Sequence, residues 1–234
     1  MAEHLSRQGV GIIGTYRNSK DEAESVASGI NSAGGRIKML RLDVAKRAAF
    51  GTFSRAVKQT VQDEFDRDTF DFLVNNAGFG VRASYAETTE AQFDELVQVH
   101  FKAPFFLTQA LLPLIADEGR ILNVSSALTR FTAQGYTAYA AAKGAVDVLT
   151  RYLAMELAER KIRVNVIALG AVATDFGGGL VRDNDQVNRI LADTVLLNRV
   201  GLPDDIGAAV SAILSDGFGW ANGACIELSG GQSI

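Results

Sequence analysis

Hydrophobic positions along the chain follow two patterns that alternate from one end to the other. Short β-branched runs are each followed by a longer stretch with helical periodicity. This order is typical of βαβ units, which build a parallel sheet covered by helices on both faces. The pattern predicts a single α/β domain over residues 1–234 with a doubly wound parallel sheet. The predicted strands are Val10–Tyr16, Ile37–Leu42, Phe70–Asn75, Arg120–Val124, Ile162–Ala168 and Ala224–Leu228.

The helical stretches predict two long helices, Thr89–Ile115 and Thr137–Arg160, and a shorter helix from Pro203 to Leu214. Ser19 to Glu22 has the sequence of a capping box, so its acidic residues are explained by a helix start. The second long helix carries alanines on one side and large aliphatic residues on another. This is more apolar surface than one sheet can cover, which predicts a homo-oligomer, a dimer or tetramer, formed through the two long helices. The aliphatic residues are Val146, Leu149, Leu153 and Leu157.

The pattern breaks between Gly170 and Arg199. Three consecutive glycines, Gly177 to Gly179, precede a polar run and a short apolar segment. A long segment of this kind inside a compact domain is often a functional lid. We expect residues 170–199 to form a substrate lid, with a surface excursion that has no role as the alternative.

Charge and composition limit the possible partners. The net charge of -4 provides no basic footprint for nucleic acid or for an anionic membrane surface, so we expect a small-molecule partner. No stretch approaches the ~20 apolar residues that a membrane helix needs. The single cysteine, Cys225, lies in an apolar run and is predicted to be a small buried residue with no metal or disulfide role. These features predict a cytoplasmic protein without a metal site.

Three residues carry a candidate chemistry. Tyr139 and Lys143 are four positions apart on a predicted helix, so their side chains lie on one face. An ammonium beside a phenol favours the tyrosinate, which lowers the tyrosine pKa towards values useful for proton transfer. Ser126 follows a strand at its carboxyl end, where parallel sheets bind their ligands. Its hydroxyl could hold a substrate carbonyl while Tyr139 donates a proton.

With these motifs the chain resembles the short-chain dehydrogenase/reductase family over essentially its whole length, and within it the 3-oxoacyl-[acyl-carrier-protein] reductases. Further matching landmarks are Asp43-Val44, Asn75-Asn-Ala-Gly78, Gly170 with Thr174, and Gly230-Gly231. The resemblance implies a Rossmann-type fold and hydride transfer from a nicotinamide. Tyr139 would be the general acid or base, Lys143 would hold the nicotinamide ribose, and Ser126 would orient the substrate oxygen.

The same resemblance implies where the cofactor would bind. Asp43 and Val44 would meet the adenine, and residues 75–78, with Asn75, Ala77 and Gly78, would line the adenosine ribose. Gly170, Val172 and Thr174 would lie at the nicotinamide end. At the end of the first visible strand, where NAD enzymes present a carboxylate, the chain has Arg17 and Asn18. A guanidinium suits a 2′-phosphate, so NADP is favoured over NAD.

Three features depart from the family pattern. Members start with a strand and a glycine-rich turn, whereas this chain opens inside the following helix, with Gly9 as its stop. The resemblance therefore predicts a gap of ~10 Å in the sheet between the strands at Val10 and Phe70. There are two explanations for the missing strand and turn. Either the start codon has been assigned too far downstream, or the segment has been lost naturally, in which case cofactor binding is expected to be weak. In the second departure, Leu169 replaces the family's proline before Gly170, and the turn there is expected to be less rigid.

His100 stands where the family usually has an asparagine in a proton relay to the lysine. It is either a member of that relay with altered pH dependence or a helix residue whose hydrogen bonds are satisfied.

Substrate identity stays open between acyl-carrier-protein thioesters, steroids, sugars and small ketones, although several apolar residues indicate an apolar pocket. A carbonyl reductase or alcohol dehydrogenase is the favoured function, and a non-catalytic relative that acts as a structural subunit is the alternative. The pocket residues are Phe131, Tyr136, Phe176 and Leu180.

Overall fold

The computed structural model describes all residues 1–234 and has the predicted alternation of strands and helices. Each predicted strand is present, with ends that differ by one or two residues except in β4. The strands are β1 (Ile12–Tyr16), β2 (Ile37–Arg41), β3 (Phe70–Asn75), β4 (Ile115–Ser126), β5 (Arg163–Leu169) and β6 (Cys225–Leu228). The helices are α1 (Ala2–Arg7), α2 (Lys20–Ser32), α3 (Phe50–Phe65), α4 (Glu90–Val97), α5 (Ala103–Leu111), α6 (Thr137–Glu156), α7 (Leu180–Asp183), α8 (Asp185–Ala192) and α9 (Pro203–Ile213).

All strand pairs are parallel, and they form two sheets. One sheet contains β1 and β2, and the other has the order β3-β4-β5-β6. The register brings the carboxyl ends of neighbouring strands together, with Tyr16 opposite Arg41 and Ser126 opposite Leu169. A parallel sheet presents its ligand-binding loops at this edge. The edge therefore carries the candidate chemistry of both sheets.

β1 and β3 are not hydrogen-bonded to each other. The first strand pairs only with β2, and the third pairs only with β4. A cavity of about 750 Å³ lies between them, lined mainly by apolar side chains. Gly9 follows the end of α1 by two residues and has φ +80°, in agreement with the predicted glycine stop before β1. His4 of α1 contacts the Asp204 carboxylate of α9 at 3.1 Å.

The prediction of one helix over Thr89–Ile115 is wrong in its details. Thr89 caps α4, a π-helical turn of residues Gln98–Lys102 interrupts the helix, and Ile115 already belongs to β4. The periodicity did not reveal the π-turn, because one extra residue shifts the apolar stripe without ending it. The capping box predicted at Ser19 is also wrong, since the Ser19 side chain makes no cap hydrogen bond. The box with both hydrogen bonds is Thr89 with Gln92.

β4 starts five residues before the predicted strand. Residues 115–119 include Asp117, Glu118 and Gly119, which do not favour strands, and a register shift opposite β3 between Phe70 and Phe72 accommodates them. Glu118 has φ 63° within this stretch. The strand then continues as the buried run that leads to Ser126.

The aliphatic face of α6 is inside the molecule. Val146, Leu149 and Leu157 are buried against the sheet, so the argument that this face must be covered by a second copy is wrong. The outer face of α6 instead exposes Val148, Tyr152 and Met155.

The prediction that Cys225 is buried is also wrong, because β6 is the edge strand of its sheet and leaves the thiol exposed. None of the helices combines the length and apolar character needed to cross a membrane.

Candidate functional site

The fold brings Ser126, Tyr139 and Lys143 to the carboxyl edge of the four-stranded sheet. Ser126 is the last residue of β4, and the other two lie one turn apart near the start of α6. All three side chains are buried, with exposed fractions of 7%, 7% and 5%. Burial in a polar cluster at a sheet edge is typical of a catalytic centre.

Lys143 is held by the strand that ends at Ser126. Its Nζ donates a hydrogen bond to the Val124 carbonyl oxygen at 2.8 Å and lies 5.7 Å from the centre of the Tyr139 ring. Burial lowers the pKa of Lys143 to about 8, and the nearby Asp147 carboxylate acts in the opposite direction. The ammonium is therefore the main form at neutral pH, and the group titrates just above neutrality.

The expected lowering of the Tyr139 pKa is not found. Burial raises the pKa of Tyr139 to about 12, and a hydrogen bond with Ser126 opposes this increase. The phenolate loses more hydration on burial than the hydrogen bond with Ser126 returns. Tyr139 is consequently a neutral hydrogen-bond donor in this structure.

His100 lies in the π-turn and is 1% exposed. Its Nε2 is 2.7 Å from the Phe79 carbonyl oxygen, a distance that requires the proton to be on Nε2. Its Nδ1 is buried without a partner, and its ring packs edge-on against Tyr139, with centroids 5.1 Å apart. Burial, together with the Lys143 charge, lowers the pKa of His100 to about 4, so the imidazole is neutral at physiological pH.

Aromatic rings surround the Tyr139 phenol on its remaining sides. The Tyr136 ring is 6.2 Å away and the Phe176 ring is 5.7 Å away, between centroids. Phe176 comes from the segment after β5, is 40% exposed, and also touches Gly80 closely enough that a Cβ there would clash with its ring. Of the other predicted pocket residues, Leu180 is exposed on α7, and Phe131 packs beneath the Arg130 guanidinium.

The ends of β1 and β2 form a separate cationic group. Arg17 and Asn18 are exposed just after β1, and the Arg41 side chain at the end of β2 donates to the Arg17 carbonyl oxygen at 3.2 Å. Sequence reasoning missed Arg41, although its position at a strand end was available. Asp43 accepts a hydrogen bond from the Ala45 amide, and Val44 packs on the apolar core.

The segment after β3 contributes backbone to the site. Asn75 has its side chain inside the protein, where its amide donates to Thr108 Oγ1 at 3.0 Å and to Asn123 Oδ1 at 2.8 Å. Ala77 and Gly78 are exposed, and a Cβ at Gly78 would be 2.8 Å from the His100 ring. The Asn75 amide therefore joins β3 to β4 and α5.

The turn after β5 is held more firmly than the loss of a proline suggests. The Gly170 amide donates to the Leu228 carbonyl oxygen, and a Cβ at Gly170 would be 2.8 Å from Ser229. Val172 forms an isolated parallel bridge with Gly201, and the Thr174 hydroxyl accepts from the Phe176 amide at 3.2 Å. Backbone pairing replaces the fixed dihedral of proline here.

The C-terminal residues form a strap across this turn that sequence reasoning did not detect. Gln232, 5% exposed, accepts from the Ala171 amide at 2.9 Å and donates to Thr194 Oγ1 at 3.2 Å. Arg130, four residues after Ser126, binds the Gln232 carbonyl oxygen and both carboxylate oxygens of Glu227. The strap thus links the loop after Ser126, the turn after β5 and the base of the 170–199 segment.

Residues 170–199 contain α7 and α8, and three glycines in the left-handed region, Gly177, Gly178 and Gly179, directly precede α7. Only glycine adopts these dihedrals without strain, so the run lets the chain turn sharply between Phe176 and α7. Arg182 of α7 pairs with the carboxylates of Asp175 and Asp183.

Comparisons with known proteins agree with this geometry. A family model described as enoyl-(acyl carrier protein) reductase matches residues 1–233. The promiscuous reductase LugOII, which catalyses keto-reduction at C1 during lugdunomycin biosynthesis, superposes with a TM-score of 0.93 at 32% identity over 100% of this chain and 92% of that one. The angucycline C-6 ketoreductase LanV, solved with bound NADP, has a TM-score of 0.91 at 29% identity and coverages of 99% and 90%.

A curated relative is similar over nearly the same span. The tetrahydroxynaphthalene reductase of Pestalotiopsis fici is 29% identical over 243 aligned positions, which cover 99% of this chain and 85% of the relative. The family model covers almost every residue, and LugOII superposes on the whole of this chain. The chain belongs to the short-chain dehydrogenase/reductase family.

Proposed function

We propose that the protein is an NADPH-dependent ketoreductase that acts on a carbonyl attached to a planar aromatic ring system. The observation that carries this proposal is the neutral Tyr139 phenol, buried beside the Ser126 hydroxyl at the carboxyl edge of the sheet. A phenol with a raised pKa keeps its proton until a stronger acceptor forms next to it. Carbonyl reduction creates such an acceptor, because the oxygen becomes an alkoxide as the carbon is reduced.

Ser126 and Tyr139 hold the substrate oxygen in this mechanism. The Ser126 hydroxyl donates to the carbonyl oxygen, and the Tyr139 phenol transfers its proton to the same oxygen as charge develops there. A bound nicotinamide would supply the hydride to the carbonyl carbon. The products are an alcohol and a Tyr139 phenolate, which regains its proton from solvent.

Lys143 stabilises the charge that appears on Tyr139. In the structure one N–H of its ammonium is used by the Val124 carbonyl, which leaves two donors for ribose hydroxyls and for the phenolate. With a pKa of about 8, Lys143 is charged at neutral pH and loses this charge at moderately alkaline pH. Activity should therefore decrease as pH rises through this range.

His100 is proposed as a positioning residue. Its Nε2–H donates to the Phe79 carbonyl oxygen, and its ring packs against Tyr139. Because its pKa is about 4, the imidazole stays neutral at neutral pH. The free Nδ1 is an acceptor that a water molecule or a ribose hydroxyl could use. His100 would then take part in the relay expected from the resemblance only as a hydrogen-bond acceptor that orients the water molecule or hydroxyl beside it.

The residues present fit the two ends of NADP. At one end, Arg17 and Arg41 are exposed at the ends of β1 and β2, and their guanidiniums would make paired charge-assisted hydrogen bonds to a 2′-phosphate, with Asn18, Asp43 and Val44 beside them. The residues proposed for the other groups follow the same edge. They are Asn75, Ala77 and Gly78 for the adenosine ribose, Tyr139 and Lys143 for the nicotinamide ribose, and Gly170, Val172 and Thr174 for the nicotinamide.

The ring system is inferred from the walls of the site. Tyr136 and Phe176 flank Tyr139 at 6.2 and 5.7 Å, which favours a flat aromatic substrate through offset or edge contacts. Relatives named for angucycline and tetrahydroxynaphthalene reduction support the same class. An acyl-carrier-protein thioester has less support, because Arg130 and Arg182, the two basic residues suggested for contact with an acidic carrier, are both paired with carboxylates of this chain.

Two further parts of the proposal concern mobility and assembly. Residues 170–199, with Phe176 against Tyr139 and three consecutive glycines, would close over the substrate as a lid. The exposed apolar residues Val148, Tyr152 and Met155 of α6, with Phe93 and Phe105 of the preceding helices, would form the contact between copies of a homo-oligomer.

The test is NADPH oxidation with 1-tetralone, a fused-ring ketone, compared with acetoacetyl thioesters and with cyclohexanone. Turnover of tetralone that disappears in Tyr139→Phe supports the proposal. Turnover of the thioester alone would contradict the substrate class. Absence of turnover with all three ketones, together with unchanged behaviour of Tyr139→Phe, would support the alternative of a non-catalytic family member.

A further inference from the structure

One arginine beside the catalytic centre has no partner within the chain. Arg82 lies in the loop between β3 and α4 and is exposed, and its side chain makes neither a hydrogen bond nor an ion pair. The arginines of the other loops around the site differ in this respect, since Arg130 and Arg182 are each paired with carboxylates. The guanidinium of Arg82 is therefore available to a ligand.

The loop that carries Arg82 is fixed to one aromatic wall of the site. The Ala83 amide donates to the Gly135 carbonyl oxygen at 3.0 Å. Gly135 has φ +89°, and a Cβ there would be 2.8 Å from Cγ and 3.4 Å from Nε of Arg82. Glycine allows this turn and leaves the arginine side chain room to lie on the main chain. The next residue is Tyr136, whose ring is 6.2 Å from that of Tyr139.

The same loop contacts the second aromatic wall. Gly80, two residues before Arg82, lies so close to Phe176 that a Cβ there would be 2.7 Å from the ring. The Phe176 ring is in turn 5.7 Å from the Tyr139 ring. Arg82 consequently lies at the rim of the site, between the two segments that carry its aromatic walls.

The acids near this rim do not bind Arg82. Asp175 and Asp183, in the segment that carries Phe176, are both paired with Arg182. Glu87, the acid nearest to Arg82 along its own loop, forms no ion pair with it. The rim thus presents one positive charge that the chain leaves to solvent.

A guanidinium at this position favours one kind of ligand. Its planar fork of N–H donors matches the two oxygens of a carboxylate. One such cation is sufficient for a single carboxylate, whereas an acidic carrier protein is recognised through a complementary patch of several charges. The aromatic walls on either side favour a carboxylate that is attached to a ring system.

We propose that Arg82 binds a carboxylate on the aromatic ketone and so selects acidic substrates over neutral ones. The inference rests on the proposed function and names a substrate class for the same site. The carbonyl of the ketone would lie at Ser126 and Tyr139, and its carboxylate would lie at the rim. Because Arg82 would contact a part of the substrate that does not react, its loss should raise KM with little effect on kcat.

The first test compares the 6- and 7-carboxylates of 1-tetralone with the corresponding carboxamides. For at least one isomer we expect kcat/KM to be about tenfold higher for the carboxylate, as for one partly solvated charge-assisted pair. Arg82→Gln should abolish this preference and leave kcat with unsubstituted 1-tetralone unchanged. Arg82→Lys should be intermediate, because an ammonium keeps the charge without the fork. Arg55→Gln, at an exposed position of α3, is the matched control and should retain the preference.

A binding test separates this inference from the proposed function. Calorimetric titration of the 234-residue chain with 2-naphthoate and 2-naphthamide involves no turnover, so it is decisive even if no tetralone is reduced. We expect naphthoate to bind about tenfold more tightly, and Arg82→Gln to remove the difference. Equal affinities in the parent protein, a preference that persists in Arg82→Gln, or no binding of naphthoate at millimolar concentration would overturn the proposal.

Discussion

The candidate site residues on the two sheets differ in how far the protein itself orders them. In the four-stranded sheet, Ser126, Tyr139 and Lys143 are buried, and Lys143 and Tyr139 have defined partners without any ligand. In the two-stranded sheet, Arg17 and Arg41 are exposed, and a cavity of about 750 Å³ separates their strands from β3. The catalytic side is therefore preorganised, whereas we expect the arginine side chains of the nucleotide side to become ordered when a ligand binds.

The difference follows from where the hydrogen bonds are. β4 and β5 are paired on both sides, and Asn75, Asn123 and Thr150 add a side-chain network between the strands and helices. β1 has one partner strand and is otherwise held by apolar contacts. Hydrophobic contacts are less directional than hydrogen bonds, so they stabilise the position of β1 without fixing its edge.

The largest effect is expected on the catalytic side. Tyr139→Phe removes only the hydroxyl, and we expect kcat to fall by about 10³-fold because general acid catalysis is lost. Steady-state NADPH oxidation measures this, with Tyr152→Phe on the exposed face of the same helix as the matched control. Retention of more than roughly a tenth of the activity would remove Tyr139 from the mechanism.

On the nucleotide side, the charge of Arg17 and Arg41 should decide the choice of cofactor. Arg17→Glu with Arg41→Glu places carboxylates at the strand ends and should weaken NADPH binding by about a hundredfold, with little change for NADH. Calorimetric titration with both cofactors checks this. Lys58→Glu on α3 controls for net charge, and a loss of equal size in that variant would argue against a local phosphate contact.

The buried imidazole should make stability depend on pH. Because its folded pKa is lowered from 6.5 to about 4, the unfolded chain binds more protons between these values. The free energy of unfolding therefore decreases as pH falls through this window, by roughly 3 kcal/mol for this group. Urea unfolding at several pH values should show a smaller decrease for His100→Asn, and parallel curves for the two proteins would contradict the assignment.

The smallest effect concerns the strap. Gln232→Ala leaves the Ala171 amide without its acceptor and should raise KM severalfold, with a loss of stability of about 1–2 kcal/mol. Gln232→Glu keeps the acceptor and loses only the donor to Thr194, so its KM should lie between those of the parent and the alanine variant. Equal KM values for all three proteins would limit the strap to a structural role.

Sequence reasoning located the strands and the Ser126, Tyr139 and Lys143 group because these depend on periodicity and on spacing along one helix. It did not detect features that depend on tertiary detail. The π-turn that carries His100 is a local change in helix winding, and the direction of the Lys143 ammonium depends on one carbonyl of β4. The role of Gln232 depends on the path of the last residues, for which no periodic signal exists.

The difference between the two sheets can be measured directly by hydrogen exchange of the 234-residue chain with and without NADPH. We expect β4 and β5 to be strongly protected in both states. Without NADPH, residues 12–18 and 37–44 should exchange at least about tenfold faster than β4 and β5, and they should become protected when NADPH is added. Equal protection of both sheets without NADPH, or no change at residues 12–18 on saturation, would contradict the account.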